Sequence, residues 1–205
     1  MSEKKTISSK ELFHNIETHL LQDARPSVYL ESISQLPVFW QPPFQMLAKL
    51  REVEQSPRYH PEGNVWIHTM MVVDEAAERR DKSKDQKVFM WSALLHDIGK
   101  EPATKIRKGN ITAYNHDRIG AEMVREFFGY FAADPILTEK VSNLVRYHMQ
   151  ILYLSKNNKS DLAAMKKQTD IEEIALLGLC DRLGRKHSDY EAEQKNVRQF
   201  LQRVR

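Results

Sequence analysis

In the stretch Phe89-Met-Trp-Ser-Ala-Leu-Leu-His-Asp-Ile-Gly-Lys100, Phe89, Ala93 and His96 fall at i, i+4 and i+7. That spacing predicts a helix over about Lys87 to Ile98 with His96 on its buried stripe. Gly99 is the expected C-terminal stop. An imidazole and the adjacent carboxylate of Asp97 therefore arrive together at the end of a buried helix.

Helical periodicity extends in both directions. Upstream, Asn64 is the expected cap of a helix from about Val65 to Arg80, with His68, Met71, Val72 and Glu75 along one side. Before it, Leu12, Phe13, Ile16, Leu20 and Leu21 mark an amphipathic opening helix capped by Ser8 or Ser9. Three prolines between Leu36 and Pro43 interrupt the chain, and Phe44, Leu47 and Leu50 mark a short helix beyond them.

Downstream, residues 101–114 contain Pro102, Gly109-Asn110 and the β-branched pair Ile111-Thr112, which predicts a loop or small hairpin. His116 then stands at the start of a helix whose face is Ile119, Met123, Val124, Phe127 and Phe128, with Gly120 permitting close packing. A further helix places Val141, Val145 and His148 on one stripe. A polar loop is expected from Ser155 to Ser160. Asp170-Ile-Glu-Glu173 has the form of a capping box for a helix that presents Ile174, Leu177, Gly178 and Asp181 on one face. A basic amphipathic helix closes the chain at Val204. The fold class expected is all-α, a helical bundle.

Composition agrees with a helix-rich globular chain. Of 205 residues, 41% are hydrophobic and 29% charged, with seven glycines. The length suits one domain, with or without a small appendage. The single cysteine, Cys180, excludes an internal disulfide and thiolate clusters. The start of the sequence lacks the apolar run of a secretion signal, and no stretch approaches the ~18 apolar residues of a membrane span, so the expectation is a cytoplasmic protein without a membrane partner. A net charge of +3 is weakly basic and does not establish a nucleic-acid partner.

Four imidazoles, His68, His96, His116 and His148, and two carboxylates, Asp97 and Asp181, come from different predicted helices or their ends. Nitrogen and oxygen donors of this kind suit a divalent Mn, Fe, Co, Ni or Zn ion held inside a bundle. Neighbouring helical residues diverge by about 100°, so His96 and Asp97 serve one site only if the metal lies between them, as when Asp97 bridges two ions. His68, His96 and Asp181 would complete one site, and His116 and His148 the second. A pair of cations would hold a phosphate ester and activate a water for its hydrolysis. Lys100 is the candidate for a phosphate oxygen, or else a charge complementing the helix dipole. Arg146 is a second candidate, turned about 200° from His148. His60 and Glu62, just before the His68 helix, are candidates for the pocket rim, with Glu62 a general acid or base, or else shape the turn.

These residues resemble the HD-domain metal-dependent phosphohydrolase superfamily, whose signature is a histidine, a His-Asp pair and a distant aspartate: His68, His96-Asp97 and Asp181. The words His60-Pro-Glu-Gly, Trp66-Ile-His-Thr69, Leu94-Leu-His-Asp-Ile-Gly-Lys100, Gly120-Ala-Glu, Arg146-Tyr-His-Met149 and Asp181-Arg-Leu-Gly184 are similar to the HD domain of bacterial tRNA nucleotidyltransferases, the CCA-adding enzymes. The resemblance covers about Gln55 to Gly184. It implies an HD domain over residues 56–205 preceded by an N-terminal helical extension over 1–55. It further implies His68, His96, Asp97 and Asp181 as core ligands, with His116 and His148 as the extra histidines of two-metal members. It implies one or two Ni, Mn, Fe, Co or Mg ions, and a phosphomonoester, nucleotide or 2′,3′-cyclic phosphate as substrate. His116-Asp117 stands where the related pattern often has His-Glu. Nothing corresponds to the nucleotidyltransferase head, so CCA addition is not expected and the expectation is a free-standing HD protein.

Two other functions fit the same residues. One is a di-iron centre that activates dioxygen. The other is a nucleic-acid-binding or regulatory module, for which Lys105, Arg107, Lys108, Arg182, Arg185, Lys186, Arg198, Arg203 and Arg205 supply cations.

Overall fold

The computed structural model describes residues 7–155 and 162–205. Ser8 accepts a hydrogen bond from Glu11 N at 3.2 Å and opens α1 (Ser9–Gln22), which buries Leu12, Ile16 and Leu20. α2 (Pro26–Ile33), for which periodicity gave no expectation, begins with Pro26, where no helical N–H is required. A 3₁₀ turn at Pro37–Trp40 precedes α3 (Gln45–Ala48), which runs into another at Lys49–Glu52. Asn64 accepts from Ile67 N at 3.0 Å to start α4 (Val65–Ala77). Asp85 does the same for α5 (Gln86–Leu95), accepting from Val88 N at 3.2 Å.

The helix expected to reach Ile98 stops at Leu95. Ile98 N bonds to Leu95 O at 3.1 Å and Lys100 N to Asp97 O at 2.9 Å, a tighter i→i+3 winding than the α-helix. Gly99 does not act as a left-handed stop either, since its φ is −74°. Its requirement is space: a Cβ there would lie 2.1 Å from His116 O and 2.5 Å from Gly120 N.

α6 (Lys100–Ala103) leads into the hairpin, β1 (Thr104–Arg107) and β2 (Asn110–Ala113), antiparallel with Thr104 opposite Ala113 and Arg107 opposite Asn110. Lys108 and Gly109 turn it with positive φ at both positions. Asn115, also left-handed at φ 61°, redirects the chain into α7 (His116–Gly129). α8 (Pro135–Tyr147) is capped by Asp134, and α9 (Gln150–Ser155) and α10 (Leu162–Gln168) follow. Apart from Ser155, which ends α9, the polar loop expected at Ser155 to Ser160 lies outside the described residues.

α11 (Ile171–Leu183) and α12 (Tyr190–Val204) complete the chain. The capping box expected at Asp170 to Glu173 is not formed. Asp170 accepts from Glu172 N at 2.8 Å, while Glu173 turns away to accept from Ser83 Oγ and Lys84 N, each at 2.8 Å. Its carboxylate thus ties α11 to the loop that introduces α5.

α5 is the central element, packed against α1, α4, α8 and α11. Trp66, Trp91, Phe39, Phe44, Phe89, Phe127 and Phe128 are the largest fully buried side chains of the core, each stabilising the fold by about 1.5–3 kcal/mol through apolar burial. Residues 7–55 share this core: Trp91 Nε1 donates to Glu17 at 3.0 Å, Trp66 Nε1 to Glu31 at 2.6 Å, and Asp74 accepts from Ser27 N and Oγ at 3.0 and 2.7 Å. No helix among the described residues is long and apolar enough to cross a membrane.

Candidate metal centre

α4, the turn after α5, the start of α7, the end of α8 and the last turn of α11 bring His68, His96-Asp97, His116, His148 and Asp181 to one place. Each imidazole is anchored through Nδ1 to a backbone carbonyl. His96 bonds to Ala93 O at 2.9 Å, His116 to Ala113 O at 2.7 Å and His148 to Val145 O at 2.6 Å, all three residues back along the chain. His68 bonds to Gly184 O at 3.2 Å. That approach requires glycine, because a Cβ on Gly184 would lie 2.8 Å from Val72 N on α4. A carbonyl only accepts, so Nδ1 carries the hydrogen and Nε2 is directed to the site.

The Nε2 atoms converge on the carboxylates. His68 Nε2 is 3.0 Å from Asp181 Oδ1, and His96 Nε2 is 3.2 Å from Asp97 Oδ2. On the other side of Asp97, Oδ1 is 3.4 Å from His116 Nε2 and 3.8 Å from His148 Nε2. The donors fall into two groups, each within 4.8 Å: His68, His96 and Asp181, and Asp97, His116 and His148. Asp97 faces both, with Oδ2 beside His96 and Oδ1 towards His116 and His148.

All six residues are buried. His96 Nε2 and Asp97 Oδ2 have no aligned hydrogen-bond partner, although Lys100 Nζ lies 2.7 Å from Asp97 Oδ2 as an ion pair. Buried polar atoms without partners are costly. A divalent cation between them would satisfy both, and neutral nitrogen with anionic oxygen suits such an ion.

Electrostatics favour the ligating forms of most donors. Burial would raise the Asp97 carboxyl, but Lys100 and His96 outweigh it and hold it well below the usual range. Burial is likewise overcome at Asp181 by Arg185 and His68. Burial, assisted by the Lys100 charge, keeps His116 below the ordinary imidazole value. Burial and then His116 and His96 push His148 down to about 4. His68 is the exception: burial would lower it, but hydrogen bonds to Asp181 and Glu62 raise it.

The surrounding candidates occupy distinct positions. Lys100 Nζ bonds to Gln55 Oε1 at 2.6 Å as well as pairing with Asp97. Glu62 has a side chain 1% exposed, with Oε1 3.1 Å from His68 Nδ1 and 2.8 Å from His60 Nδ1. It braces the His68 imidazole from the Nδ1 side. His60 packs edge-on against His68 at 4.8 Å, and burial followed by the Lys100 charge pushes it down to about 4. Arg146 Nη1 donates to Asp117 Oδ2 at 2.7 Å, joining the end of α8 to the start of α7. That pair fixes the helix ends bearing His148 and His116.

A cavity of about 440 Å³ opens over Asp97, His116 and Asp181. Lys100 and His60 line it, together with Gln55, Tyr59, Tyr114, Met149, Tyr153 and Arg185; Glu62 and Arg146 are not among its lining residues. Arg185 Nη2 is 3.3 Å from both Asp181 oxygens. Sequence reasoning counted Arg185 only among the cations of a nucleic-acid-binding module, although its place four residues after Asp181, just beyond the end of α11, was the available signal.

An inward cluster of histidines and aspartates within a helical bundle, under an open cavity, defines a class. The HD domain family profile matches residues 65–186, and the chain belongs to that family. The chain is similar to multifunctional CCA proteins. That of Pasteurella multocida (strain Pm70) is 24% identical over 191 residues, which is 88% of this chain and 44% of the relative. That of Hahella chejuensis (strain KCTC 2396) is 26% identical over 130 residues, 62% of this chain and 29% of the relative. That of Neisseria meningitidis serogroup B (strain ATCC BAA-335 / MC58) is 28% identical over 150 residues, 67% and 34% respectively. The chain thus spans less than half the length of these curated relatives.

Glu62 gives a direct test of the bracing arrangement. Glu62→Gln keeps the shape and removes the charge behind His68, and is expected to weaken metal binding about tenfold. A competitive chelator titration with Ni²⁺ measures this; unchanged affinity would refute the bracing role.

Proposed function

We propose that this chain hydrolyses a phosphate ester, namely a nucleotide, a 2′,3′-cyclic phosphate or a small phosphomonoester, using one or two divalent ions. The observation that carries this reading is the convergence of four carbonyl-anchored imidazoles on Asp97 and Asp181 beneath a cavity edged by Lys100 and Arg185. His68, His96 and Asp181 would hold one ion, His116 and His148 the other, with Asp97 shared. Bound ions would supply positive charge for the phosphate and lower the pKa of a water nucleophile. Asp97 would be the ligand common to both, and Lys100, 2.7 Å from its Oδ2, favours its ionised form and lines the cavity. His60 would meet the substrate at the rim. Glu62 would orient His68, and Arg146 would act through Asp117. A role for RNA as partner rests on the relatives' description as CCA proteins.

The test is phosphate release from a panel of nucleotides, cyclic nucleotides and sugar phosphates by protein loaded with Mn²⁺, Ni²⁺ or Co²⁺. Chelator-sensitive release from at least one ester is expected. No release with any of these metals would refute the proposal, and iron-dependent oxygen uptake would favour the di-iron alternative.

Metal binding should be pH-dependent in a definite direction. A histidine raised above its ordinary 6.5 favours its protonated form, stabilising the metal-free fold below 6.5 and losing that contribution as pH rises through the raised value. The ion must displace this proton from His68. Affinity is therefore expected to climb as pH rises through the His68 value and to level off above it. Titration with Ni²⁺ in a pH series that starts below the ordinary imidazole value and rises above it checks this; affinity falling with pH would contradict it.

A further inference from the structure

We propose that Tyr59 and Tyr114 form a nucleobase platform at the mouth of the cavity, so that the site selects phosphate esters that carry a base. The inference rests on the reading of the cavity floor as a phosphate site. Both tyrosines line the cavity, yet they are 56% and 62% exposed. They come from separate segments: Tyr59 from the turn closed by its own N–H to Ser56 O at 3.0 Å, Tyr114 from the residue after β2.

An exposed tyrosine on its own needs no explanation. Here each ring carries a guanidinium over it: Arg58 Cζ lies 5.5 Å from the Tyr59 centroid and Arg107 Cζ 5.0 Å from that of Tyr114. A cation over one face restrains the ring and leaves the other face for a flat partner. Aromatic rings paired with arginines in this way are what stacked bases use, and stacking tolerates any base because each has a π-face.

The rest of the cavity lining offers both cations for a phosphate and apolar side chains. Lys100 and Arg185 stand at the floor beside Asp97 and Asp181, and Arg185 Nε is buried without a hydrogen-bond partner. Ile111 and Met149 contribute apolar wall. An inorganic phosphate or a base-free sugar phosphate would use only the floor. A nucleoside phosphate would use both regions, its phosphate at the cations and its base at the tyrosines.

Calorimetric binding of adenosine 5′-monophosphate and ribose 5-phosphate to the full chain loaded with Mn²⁺ tests this without requiring turnover. The nucleotide is expected to bind about tenfold or more tightly than the sugar phosphate. Tyr59→Leu and Tyr114→Leu, which retain apolar bulk at exposed positions, are each expected to weaken nucleotide binding about fivefold or more while ribose 5-phosphate binding is unaltered. Equal affinity for the two ligands, or equal weakening of both in the variants, would overturn the platform. Failure of the two readings is separable. Tyrosine-dependent nucleotide binding without phosphate release from any ester would defeat hydrolysis and support the platform. Metal-dependent release that treats both esters alike in wild type and variants would do the opposite.

Discussion

Replacing Asp97 with alanine is expected to reduce phosphate-ester turnover by about three orders of magnitude or more, the equivalent of several kcal/mol of transition-state stabilisation. The reason is its position between two groups of donors. Oδ2 faces His96, and Oδ1 faces His116 and His148, so a single deletion separates both. Metal content should fall with activity. Asp97→Ala also leaves Lys100 buried with Gln55 as its remaining partner, which carries its own stability cost. Asp97→Asn retains the shape and a hydrogen-bonding oxygen, so its metal content and turnover, read beside its melting temperature, isolate the ligand role. His148→Ala removes a donor from one group only and is expected to spare more activity than either. A folded Asp97→Asn protein with wild-type metal content and turnover would refute the shared-ligand assignment.

Gly99→Ala is expected to destabilise the fold by about 3 kcal/mol or more, because the added methyl meets backbone rather than yielding side chains. Its Cβ would fall 2.1 Å from His116 O, 2.5 Å from Gly120 N and 2.9 Å from Gly120 Cα. Relief requires the turn after α5 to move away from the start of α7, which separates Asp97 from His116. Chemical denaturation measures the stability loss, and weaker metal binding by any surviving folded protein should accompany it. A wild-type denaturation midpoint would show that these two segments do not pack as described. Gly178→Ala offers a milder comparison, since its Cβ would meet chiefly the Ile151 side chain, with Cδ1 at 2.3 Å, and a side chain can turn aside.

Both predictions concern the turn from His96 to Gly99, where sequence reasoning was only partly adequate. Periodicity was sufficient for the helical class, for the hairpin between α6 and α7, and for the caps at Ser8 and Asn64, because those signals are local. The fold class was therefore legible, and the family was legible through the resemblance carried by His68, His96-Asp97, Asp181 and the words around them. The end of α5 was not: a 3₁₀ turn differs from an α-turn by a shift in hydrogen-bond partner that no residue type announces. Likewise, Glu173 had the right identity and spacing for a capping box, and only tertiary packing of α11 against the Ser83-Lys84 segment drew it elsewhere.

For the candidate site, the donors themselves could be read because the chain has only eight histidines, and His96 and His148 fall on apolar stripes while His68 and His116 stand in the first turns of helices. Their surroundings could not. Glu62 reaches Lys186 N, 124 residues along the chain, at 3.3 Å, and the Gln55 contact with Lys100 spans 45 residues. Neither spacing has a periodic signature. Cys180 is a simpler case: it is buried on α11, and burial pushes its thiol up to about 12, consistent with a packing role beside Asp181.

The most direct measurement is a crystal structure of protein grown with Mn²⁺ and without chelators, with anomalous scattering recorded to locate the ion. The account predicts an anomalous peak bounded by His68, His96, Asp97 and Asp181, and, if a second ion binds, another bounded by Asp97, His116 and His148. A fully ordered pocket with no peak at saturating Mn²⁺, or a peak outside these six side chains, would contradict it.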